Sequence, residues 1–425
     1  MARLRTAVAR PPMTSSIDVT VRGIAAGGAG IADLPDGRVV FVPRTAPGDR
    51  VSIRIERSKP RWAVASLCSV IEPASDRRQP LCRLYDECGG CHLQHLPYRR
   101  QLEWKGRFVA DALARIGRLS EVESPEVVAS PREVGYRNRV TFTLRRLRGG
   151  RVVAGFHALH RPAHVIDVID ECVLPRAGLL EAWRMLRAGW GGGARLLPAG
   201  GRLRLTLHDA SPGVVLTVEG GPAGWSAQEL GEAVPELVAI WHRPADGGAE
   251  LRRVGGAADE GPGPAFVQVN SEVAVLLVDH VAASAGSGRR AVDAYCGAGG
   301  YGRALVTKGW QVTGIEVDPS ACEAARQGAP TGFSVLEGRV ETRLGETLPV
   351  DLLIVNPPRS GLHRDVASTI LEYDVPRVIY VSCDPATLAR DLAMLSDRYA
   401  LDATRAFDLF PQTAHVETVV VMTSR

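Results

Sequence analysis

The chain has 425 residues, a net charge of +4, and hydrophobic and charged fractions of 45% and 23%, which indicate a globular protein of two to four domains. No stretch of about 18 uncharged apolar residues occurs, so we expect no membrane span. The first residues form no secretory signal and are expected to be a short, disordered basic arm at residues 1–13. A chain without an export signal is predicted to be cytoplasmic, where thiols stay reduced.

Positive charge is concentrated towards the N-terminus. Residues 1–160 hold 27 Lys and Arg against 15 Asp and Glu, whereas the rest of the chain holds 24 against 32. A basic N-terminal part joined to an acidic C-terminal part predicts binding of a polyanion such as a nucleic acid. A solvated basic surface without a partner is the alternative.

Residues 16–73 alternate short apolar runs with Gly-rich turns, which predicts a small β-barrel of about five strands. The expected strands include Ile17–Val21, Val39–Val42, Val51–Arg57 and Trp62–Ile71. Basic side chains are spread over these strands and turns, and small basic barrels commonly bind single-stranded nucleic acid. The segment resembles the TRAM domain, an RNA-binding barrel, and a generic five-stranded module is the alternative.

A cysteine-rich turn follows the predicted barrel. Three cysteines fall close together and two of them flank a Gly-Gly pair: Cys82, Cys88 and Cys91. Such a turn can present thiolates and backbone N–H groups to a metal centre, and Cys172 is the best candidate for a fourth ligand. The spacing favours an iron–sulfur cluster, with zinc and unligated thiols as alternatives. Cys68 and Cys322 have no partner pattern and are expected to be packing residues.

Residues 74–260 are predicted to form a central domain that is rich in β-structure and binds RNA. It opens with a helix at 99–119, which has one apolar face and one basic face with Lys105, and which is expected to pack on the catalytic domain. Strands are predicted at Arg139–Leu144, Val152–His157, Arg202–His208 and Gly213–Glu219. The basic residues at both ends of the first strand are candidate RNA contacts, although a solvated strand edge explains them equally well.

Residues 261–425 show the strand–helix alternation of a doubly wound α/β domain. A Gly-rich loop, Cys296–Gly302, follows the strand Ala291–Ala294, and Glu316 lies near the end of the next strand. Such a loop lets the chain approach a ligand closely, and the acidic residue can bind ribose hydroxyls. The pattern Asp293-x-x-Cys-Gly-x-Gly is closer to S-adenosylmethionine sites than to dinucleotide sites, which are the alternative.

The strongest chemical signal lies near the C-terminus. The predicted strand Val378–Val381 and helix Ala386–Leu395 place Cys383 at the carboxyl edge of a sheet, where ligands of α/β proteins bind. Glu417 begins the last predicted strand, two residues after His415. A thiolate at such an edge can act as a nucleophile, whereas a buried inert thiol and a surface carboxylate are the alternatives.

In their shared order these features resemble the RNA (uracil-5-)-methyltransferases over nearly the whole chain. The matching pieces are the barrel, the four cysteines, Phe266–Asn270, the Asp293–Gly302 loop, Asn356–Arg359, Ser382-Cys383 and His415–Glu417. The resemblance implies a class I, Rossmann-like methyltransferase domain joined to an OB-like TRAM barrel. It also implies methylation of carbon 5 of a uridine in RNA.

The same resemblance implies roles for individual residues. Cys383 matches the nucleophile and Glu417 the base that removes a proton. The residues that match the binding site for S-adenosylmethionine are Gln268, Tyr295, Glu316 and Asn356. Many members have Asp at position 356, and Asn keeps the carbonyl acceptor but loses the charge. The residues that match the ligands of a [4Fe-4S] cluster are Cys82, Cys88, Cys91 and Cys172.

The barrel and the cysteines are more similar to members that act on ribosomal RNA, so the expected substrate is 23S ribosomal RNA and the expected state a monomer. A uridine of tRNA is the alternative substrate. Amino-group methyltransferases also contain Asn-Pro-Pro, but an aromatic residue usually follows it, whereas Arg359 does here. A non-catalytic, redox-sensing RNA-binding factor is an alternative from another class of protein.

Overall fold

The computed structural model describes residues 16–119, 122–210, 213–245, 250–256, 261 and 268–425. The predicted basic arm, together with Phe266 and Val267, lies outside these residues. The chain divides into two compact units, one up to Pro80 with His92–Pro97 and the other comprising Leu81–Cys91 and Tyr98–Arg425. Within the described residues, no helix combines the length and the apolar character needed to cross a membrane.

The first unit contains the predicted barrel. Its strands are β1 (Ile17–Ile24), β2 (Gly30–Asp33), β3 (Val39–Val42), β4 (Arg50–Ser58) and β5 (Trp62–Glu72). They close in the order β1-β2-β3-β5-β4. Alternate side chains such as Val19, Val40 and Ile53 fill the interior, as the period of two in a β-strand requires. Closure leaves no long unpaired strand edge.

Two elements of the predicted central domain belong to the catalytic sheet instead. They are α1 (Tyr98–Arg115) and β6 (Val127–Val128). The buried side of α1 packs against a helix at Pro385–Leu395. The predicted helix 99–119 ends at Arg115, because Arg118 has a φ of 57° in the left-handed region. The expected exposure of Lys105 is wrong, because this side chain is fully buried.

A six-stranded sheet forms the centre of the second unit. Its strands are β7 (Arg139–Arg146), β8 (Val152–Gly155), β9 (Arg202–Asp209), β10 (Val214–Glu219), β11 (Leu237–Arg243) and β12 (Arg252–Gly255), in the order β12-β11-β10-β9-β7-β8. Two helices that the sequence analysis missed, α2 (Ala177–Gly189) and α3 (Gln228–Ala233), cover one face of the sheet. The predicted strand Val152–His157 ends at Gly155.

The large sheet and its helices comprise, besides α1 and β6, the elements α4 (Ser271–Ala283), β13 (Arg290–Ala294), α5 (Gly300–Val306), β14 (Gln311–Glu316), α6 (Pro319–Arg326), β15 (Phe333–Glu337), α7 (Val340–Thr347), β16 (Leu352–Val355), α8 (Arg364–Tyr373), β17 (Arg377–Ser382), α9 (Pro385–Leu395), β18 (Tyr399–Phe407) and β19 (Glu417–Ser424). The strands of the large sheet have the order β15-β14-β13-β16-β17-β19-β18-β6. Strands β13 to β17 run parallel, and β19 is antiparallel to β17.

Helices cover both faces of this sheet. Apolar residues of α1, α7, α8 and α9 pack on one face, and those of α4, α5 and α6 pack on the other. Burial on both faces explains why β16 and β17 are continuous apolar runs rather than alternating sequences. The predicted fold class is confirmed: a barrel joined to a central β-containing region and a Rossmann-like α/β domain. The residue boundaries of the predicted domains stay a prediction.

Candidate active site

Several strand ends converge at one edge of the large sheet. The order β14-β13-β16-β17-β19 aligns four carboxyl ends with the amino end of β19. Ser382 of β17 pairs with Thr418 of β19, so Cys383 and Glu417 are neighbours across the two strands. The strand order changes direction between β13 and β16, which is where open α/β sheets bind ligands. The fold therefore brings these positions to one edge: Glu316, Asn356, Cys383 and Glu417.

Cys383 lies between β17 and α9 and is half-buried. The Asp384 side chain caps α9 by accepting hydrogen bonds from the backbone N–H groups of Ala386 and Thr387, both at 2.9 Å. Burial raises the pKa of the Cys383 thiol, and the charge of Glu417 raises it further. A charge and a hydrogen bond from Arg359 act in the opposite direction and favour the thiolate.

Glu417 is almost fully buried, with 5% of its surface exposed. Burial raises the pKa of its carboxyl to about 8, and the positive charge of Arg359 lowers it. The group therefore exchanges its proton near neutral pH, which is where a general base works best. Burial also lowers the pKa of nearby His415 to about 4, so this imidazole is neutral at pH 7.

Arg359 is a candidate functional residue that the sequence analysis noted only as part of the segment Asn356–Arg359. It is exposed, and its charge acts on Cys383, Glu417 and His415 together. Its position directly after Asn356-Pro-Pro, at the end of the buried strand β16, was a usable signal. Its proximity to residues of β17 and β19 follows only from the strand order.

The Gly-rich loop forms a cradle at the end of β13. Asp293 is fully buried, and its Oδ2 accepts a hydrogen bond from the Gly302 N–H at 2.9 Å. Its Oδ1 has no partner among the described residues, and burial raises the pKa of the carboxyl to about 7. A Cβ on Gly302 would lie 2.4 Å from the Phe333 ring, whereas the space above Gly297 is open. The cradle can therefore take a ligand that donates to Asp293.

Glu316 holds this cradle to the next strand. Its Oε2 accepts from the Gly297 N–H at 2.9 Å, and its Oε1 accepts from Val317 and Asp318, both at 2.8 Å. Each carboxylate oxygen has further acceptor capacity. The predicted ribose contact is compatible with this position, since Glu316 is only half-buried.

Of the two other predicted donor-binding residues, Tyr295 adjoins the cradle in sequence and Gln268 lies beside the start of the central strand β7. Tyr295 follows β13 with a φ of 62°, and burial with the charges of Glu341 and Asp391 raises the pKa of its phenol to about 12. The carbonyl of Gln268 accepts a hydrogen bond from the Asn138 side chain at 3.2 Å. Tyr295 therefore joins the cradle through its backbone, while its phenol lies close to Asp391.

Helix α1 supports the segment that leads to Glu417. Lys105 and Asp408 form an ion pair at 2.5 Å in which both side chains are fully buried. The Gln101 and Gln412 side chains also interact, with a 3.0 Å hydrogen bond. Sequence reasoning missed these contacts, although Lys105 lies three residues before the apolar Phe108, on the buried stripe of the helix.

The predicted metal-binding cysteines lie in the central part of the second unit. Cys88, Cys91 and Cys172 are buried, and Cys82 is half-buried. The Gly90 N–H donates to the Cys88 sulfur at 3.4 Å. Burial raises the pKa of the Cys172 thiol to about 12, with further increases from Cys91 and Cys82, so these three thiols share one neighbourhood.

Among the residues described, no group of three or more His, Cys, Asp or Glu has a metal-binding arrangement. The donor set is chemically suited to an iron–sulfur cluster, but the arrangement stays a prediction. Of the two expected packing cysteines, Cys322 is fully buried. The expectation is wrong for Cys68, which is exposed.

Comparisons with known proteins identify the family. The tRNA (Uracil-5-)-methyltransferase family model matches residues 339–425, and the TRAM domain matches residues 15–68. An uncharacterized RNA methyltransferase of Nitratidesulfovibrio vulgaris is 32% identical, with 96% of both chains covered. Another, from Thermosynechococcus vestitus, is 33% identical, with 96% of this chain and 98% of the other covered. The chain belongs to this family of RNA methyltransferases.

A solved structure of a family enzyme is similar along the whole chain. The tRNA (uracil-54, C5)-methyltransferase of Pyrococcus abyssi, in complex with S-adenosyl-L-homocysteine, has a TM-score of 0.73 and 27% identity, covering 96% of this chain and 100% of that one. The predicted family, its TRAM domain and its enzyme class are confirmed. This RNA methyltransferase depends on S-adenosylmethionine, and the open cradle at Gly297 with the unpartnered Asp293 Oδ1 among the described residues fits such a donor.

Proposed function

We propose that this RNA methyltransferase, acting as a cytoplasmic monomer, methylates carbon 5 of a uridine in 23S ribosomal RNA. The observation that carries the proposal is the placement of Cys383 and Glu417 on adjacent strand ends, at the sheet edge that also holds the Gly-rich cradle. A thiol and a buried carboxyl beside a methyl-donor site are the groups that this reaction needs. The basic barrel supports RNA as the substrate.

The chemistry of uracil explains the need for a nucleophile. Carbon 5 is too weakly nucleophilic to accept a methyl group unaided. Addition of the Cys383 thiolate to carbon 6 forms an enolate with electron density at carbon 5, which is covalent catalysis. S-adenosylmethionine supplies an electrophilic methyl group when it is bound. Glu417 then takes the hydrogen from carbon 5, and the electron pair of that bond expels the Cys383 thiolate.

The neighbouring residues prepare these steps. Arg359 favours the thiolate form of Cys383 and partly opposes the effect of burial on Glu417. Glu316 has acceptor capacity for ribose hydroxyls. Gln268, Tyr295 and Asn356 are proposed to complete the donor site. The target uridine must already be unstacked, or must leave its stack, to reach this edge.

The pH dependence of the reaction should report on Arg359. Glu417 must lose its proton to act as the base, so single-turnover release of product should fall as the pH drops below about 8. Arg359→Gln removes the charge that lowers this pKa. The acidic limb of the pH–rate profile, where the rate falls with falling pH, should therefore move up by about one pH unit. The exposed Arg364 provides a matched control, Arg364→Gln, which should leave the limb in place. Identical profiles for Arg359→Gln and the parent would contradict this role.

The proposed reaction can be tested with a labelled donor. The protein, S-adenosylmethionine with a labelled methyl group, and unmodified 23S ribosomal RNA should yield 5-methyluridine after digestion to nucleosides. Label in any other nucleoside would contradict the proposal. A deletion strain would then identify the modified uridine as the one that loses its methyl group.

A uridine of tRNA is the second candidate substrate. It is favoured by the whole-chain similarity to the tRNA (uracil-54, C5)-methyltransferase of Pyrococcus abyssi. The cysteines and the barrel favour ribosomal RNA, because the chain resembles those members of the family in both features. Incubating the two unmodified RNAs in competition decides between them, since only the true substrate should accept one methyl group per molecule at a single uridine.

We also propose that Cys82, Cys88, Cys91 and Cys172 hold a [4Fe-4S] cluster. Cys91 and Cys172 lie in one buried cluster against which Cys82 packs, and the Gly90 N–H donates to the Cys88 sulfur, as is common around such clusters. Protein purified without oxygen should be brown and contain about four irons and four labile sulfides per chain. Cys172→Ser should lower the iron content, whereas Cys68→Ser should not. Stoichiometric zinc without iron would contradict the proposal.

A further inference from the structure

The two faces of the central sheet differ sharply in character. Strand alternation directs Phe142, Leu205 and Leu216 towards α2 and α3. The other face, which we call the arginine face, includes arginines on four of the strands, among them Arg145, Arg202, Arg204, Arg243 and Arg253. Four of these are exposed and Arg145 is half-buried. The strand register places them in adjacent rows, for example Arg145 beside Arg202 and Arg204 beside Glu219.

Among the described residues, the ion pairs of Glu219 leave net positive charge on this face. Glu219 contacts both Arg204, at 3.5 Å, and Arg243, at 3.0 Å. One carboxylate thus orients two guanidinium groups and offsets only one positive charge. Both arginines keep more than half of their side-chain surface exposed, so their remaining N–H donors are accessible. Oriented guanidinium groups are well suited to bind phosphate.

The arginine face also contains an unused hydrogen-bonding group. Thr217 lies on the same side of β10, two residues before Glu219, and is 7% exposed. Its Oγ1 has no hydrogen-bond partner among the described residues. A buried hydroxyl without a partner costs stability unless a ligand or water satisfies it. Thr217 therefore points to a polar ligand on this face.

Both ends of the arginine face reach the catalytic sheet. Hydrogen bonds from Ser320 and Ala321 lower the pKa of Asp318, which caps α6 two residues after Glu316, and the charge of Arg243 lowers it further. At the start of β7, the Asn138 side chain donates to the Gln268 carbonyl. A polyanion on this face would thus continue to the edge that carries the donor cradle.

We propose that the arginine face binds the phosphates of the single RNA strand that flanks the target uridine. This inference rests on the proposed function, because it assumes that a uridine of RNA enters the site at Cys383. A single strand fits because the target base has to be unstacked. The face supplies backbone contacts, which position the RNA without reading its sequence.

The test compares two double variants that are matched in charge. Arg204→Ala with Arg243→Ala removes both guanidinium groups held by Glu219. The control, Arg184→Ala with Arg195→Ala, removes two exposed arginines that are paired with Glu181 and Glu229 and lie away from the arginine face. The probe is a fluorescein-labelled, single-stranded RNA of mixed sequence with unmodified uridines, and binding is titrated between 0.1 and 1 M salt.

We expect the first double variant to reduce the salt slope by about 1.4, or 0.7 per lost phosphate contact on a single strand. This corresponds to roughly 25-fold weaker binding at 0.1 M salt, with convergence on the parent at 1 M. The control should keep the parental slope. Arg202→Ala provides a milder variant, with an expected reduction of about 0.7. The inference would be overturned if both test variants kept the parental salt slope of RNA binding. It would also be overturned if the control lost as much RNA affinity as the first double variant.

Two further readouts separate this inference from the proposed function. Affinity for S-adenosylmethionine and the rate at saturating RNA should be unchanged in the test variants, because they alter neither Cys383 nor the cradle. If the parent forms 5-methyluridine while the test variants bind RNA as tightly as the parent, the inference about the arginine face is wrong and the proposed function stands. If the slopes fall as expected but the parent forms no 5-methyluridine, the function is wrong and the surface stands.

Discussion

Cys383→Ala is expected to abolish methylation of RNA and, with it, any covalent complex between protein and RNA. Without the thiolate nothing adds to carbon 6, and carbon 5 stays too weak a nucleophile to take the methyl group. The side chain is half-buried at a loop, so the loss of its sulfur should not unfold the sheet. The measurement is transfer of label from the donor to RNA, followed on a denaturing gel.

Cys68→Ala is the matched control for this substitution. Cys68 is an exposed cysteine of the barrel, remote in sequence from the reacting groups, and its removal should leave the methylation rate at the parental value. Affinity of Cys383→Ala for S-adenosylmethionine should also be parental. Methylation of carbon 5 by Cys383→Ala would contradict the covalent mechanism.

Glu417→Gln is expected to act at a later step. The thiolate can still add and carbon 5 can still take the methyl group, but the hydrogen on carbon 5 has no base to remove it. Turnover should fall by about 10²–10⁴-fold, and a methylated adduct should accumulate. That adduct should survive denaturing electrophoresis and carry label from the donor. Gln is nearly isosteric with Glu and uncharged, so it suits this buried position.

The control for this variant is Glu372→Gln, at an exposed position of α8, which should turn over normally and leave no adduct. Parental turnover by Glu417→Gln would mean that another group removes the hydrogen. His415 would then be the next residue to test, because its burial keeps the imidazole neutral at pH 7. The two catalytic variants thus give opposite results on the same gel, with no adduct for one and a persistent adduct for the other.

Much of the fold could be predicted because its sequence signals are local. Alternation of apolar and polar residues indicates the barrel strands, and apolar runs followed by residues with helical spacing indicate the α/β domain. The neighbourhood of Cys383 and the cradle also follows from a general rule, since parallel strands end at one edge of their sheet. Placing Glu417 beside Cys383 requires the antiparallel pairing of β17 with β19, which local patterns do not specify.

The features that could not be predicted from the sequence share a physical cause, which is contact between residues that are far apart along the chain. From the local sequence alone, Lys105 is expected to face solvent. In the fold it is buried, because Asp408, some 300 positions later, provides a buried partner. Arg359 acquires its significance from residues on two other strands. Helix α2 was missed although Leu179, Trp183 and Leu186 form a helical stripe, because the neighbouring strand patterns dominated that region.

Release of tritium tests the central claim most directly. RNA that carries tritium at carbon 5 of its uridines would be incubated with the parent protein and S-adenosylmethionine. We expect one tritium to enter water for each methyl group transferred, because Glu417 removes the hydrogen that the methyl group replaces. In Glu417→Gln, the release of tritium should be much slower than the transfer of methyl groups. Cys383→Ala should neither transfer methyl groups nor release tritium. Methyl transfer by the parent protein without any release of tritium would show that carbon 5 is not the atom methylated.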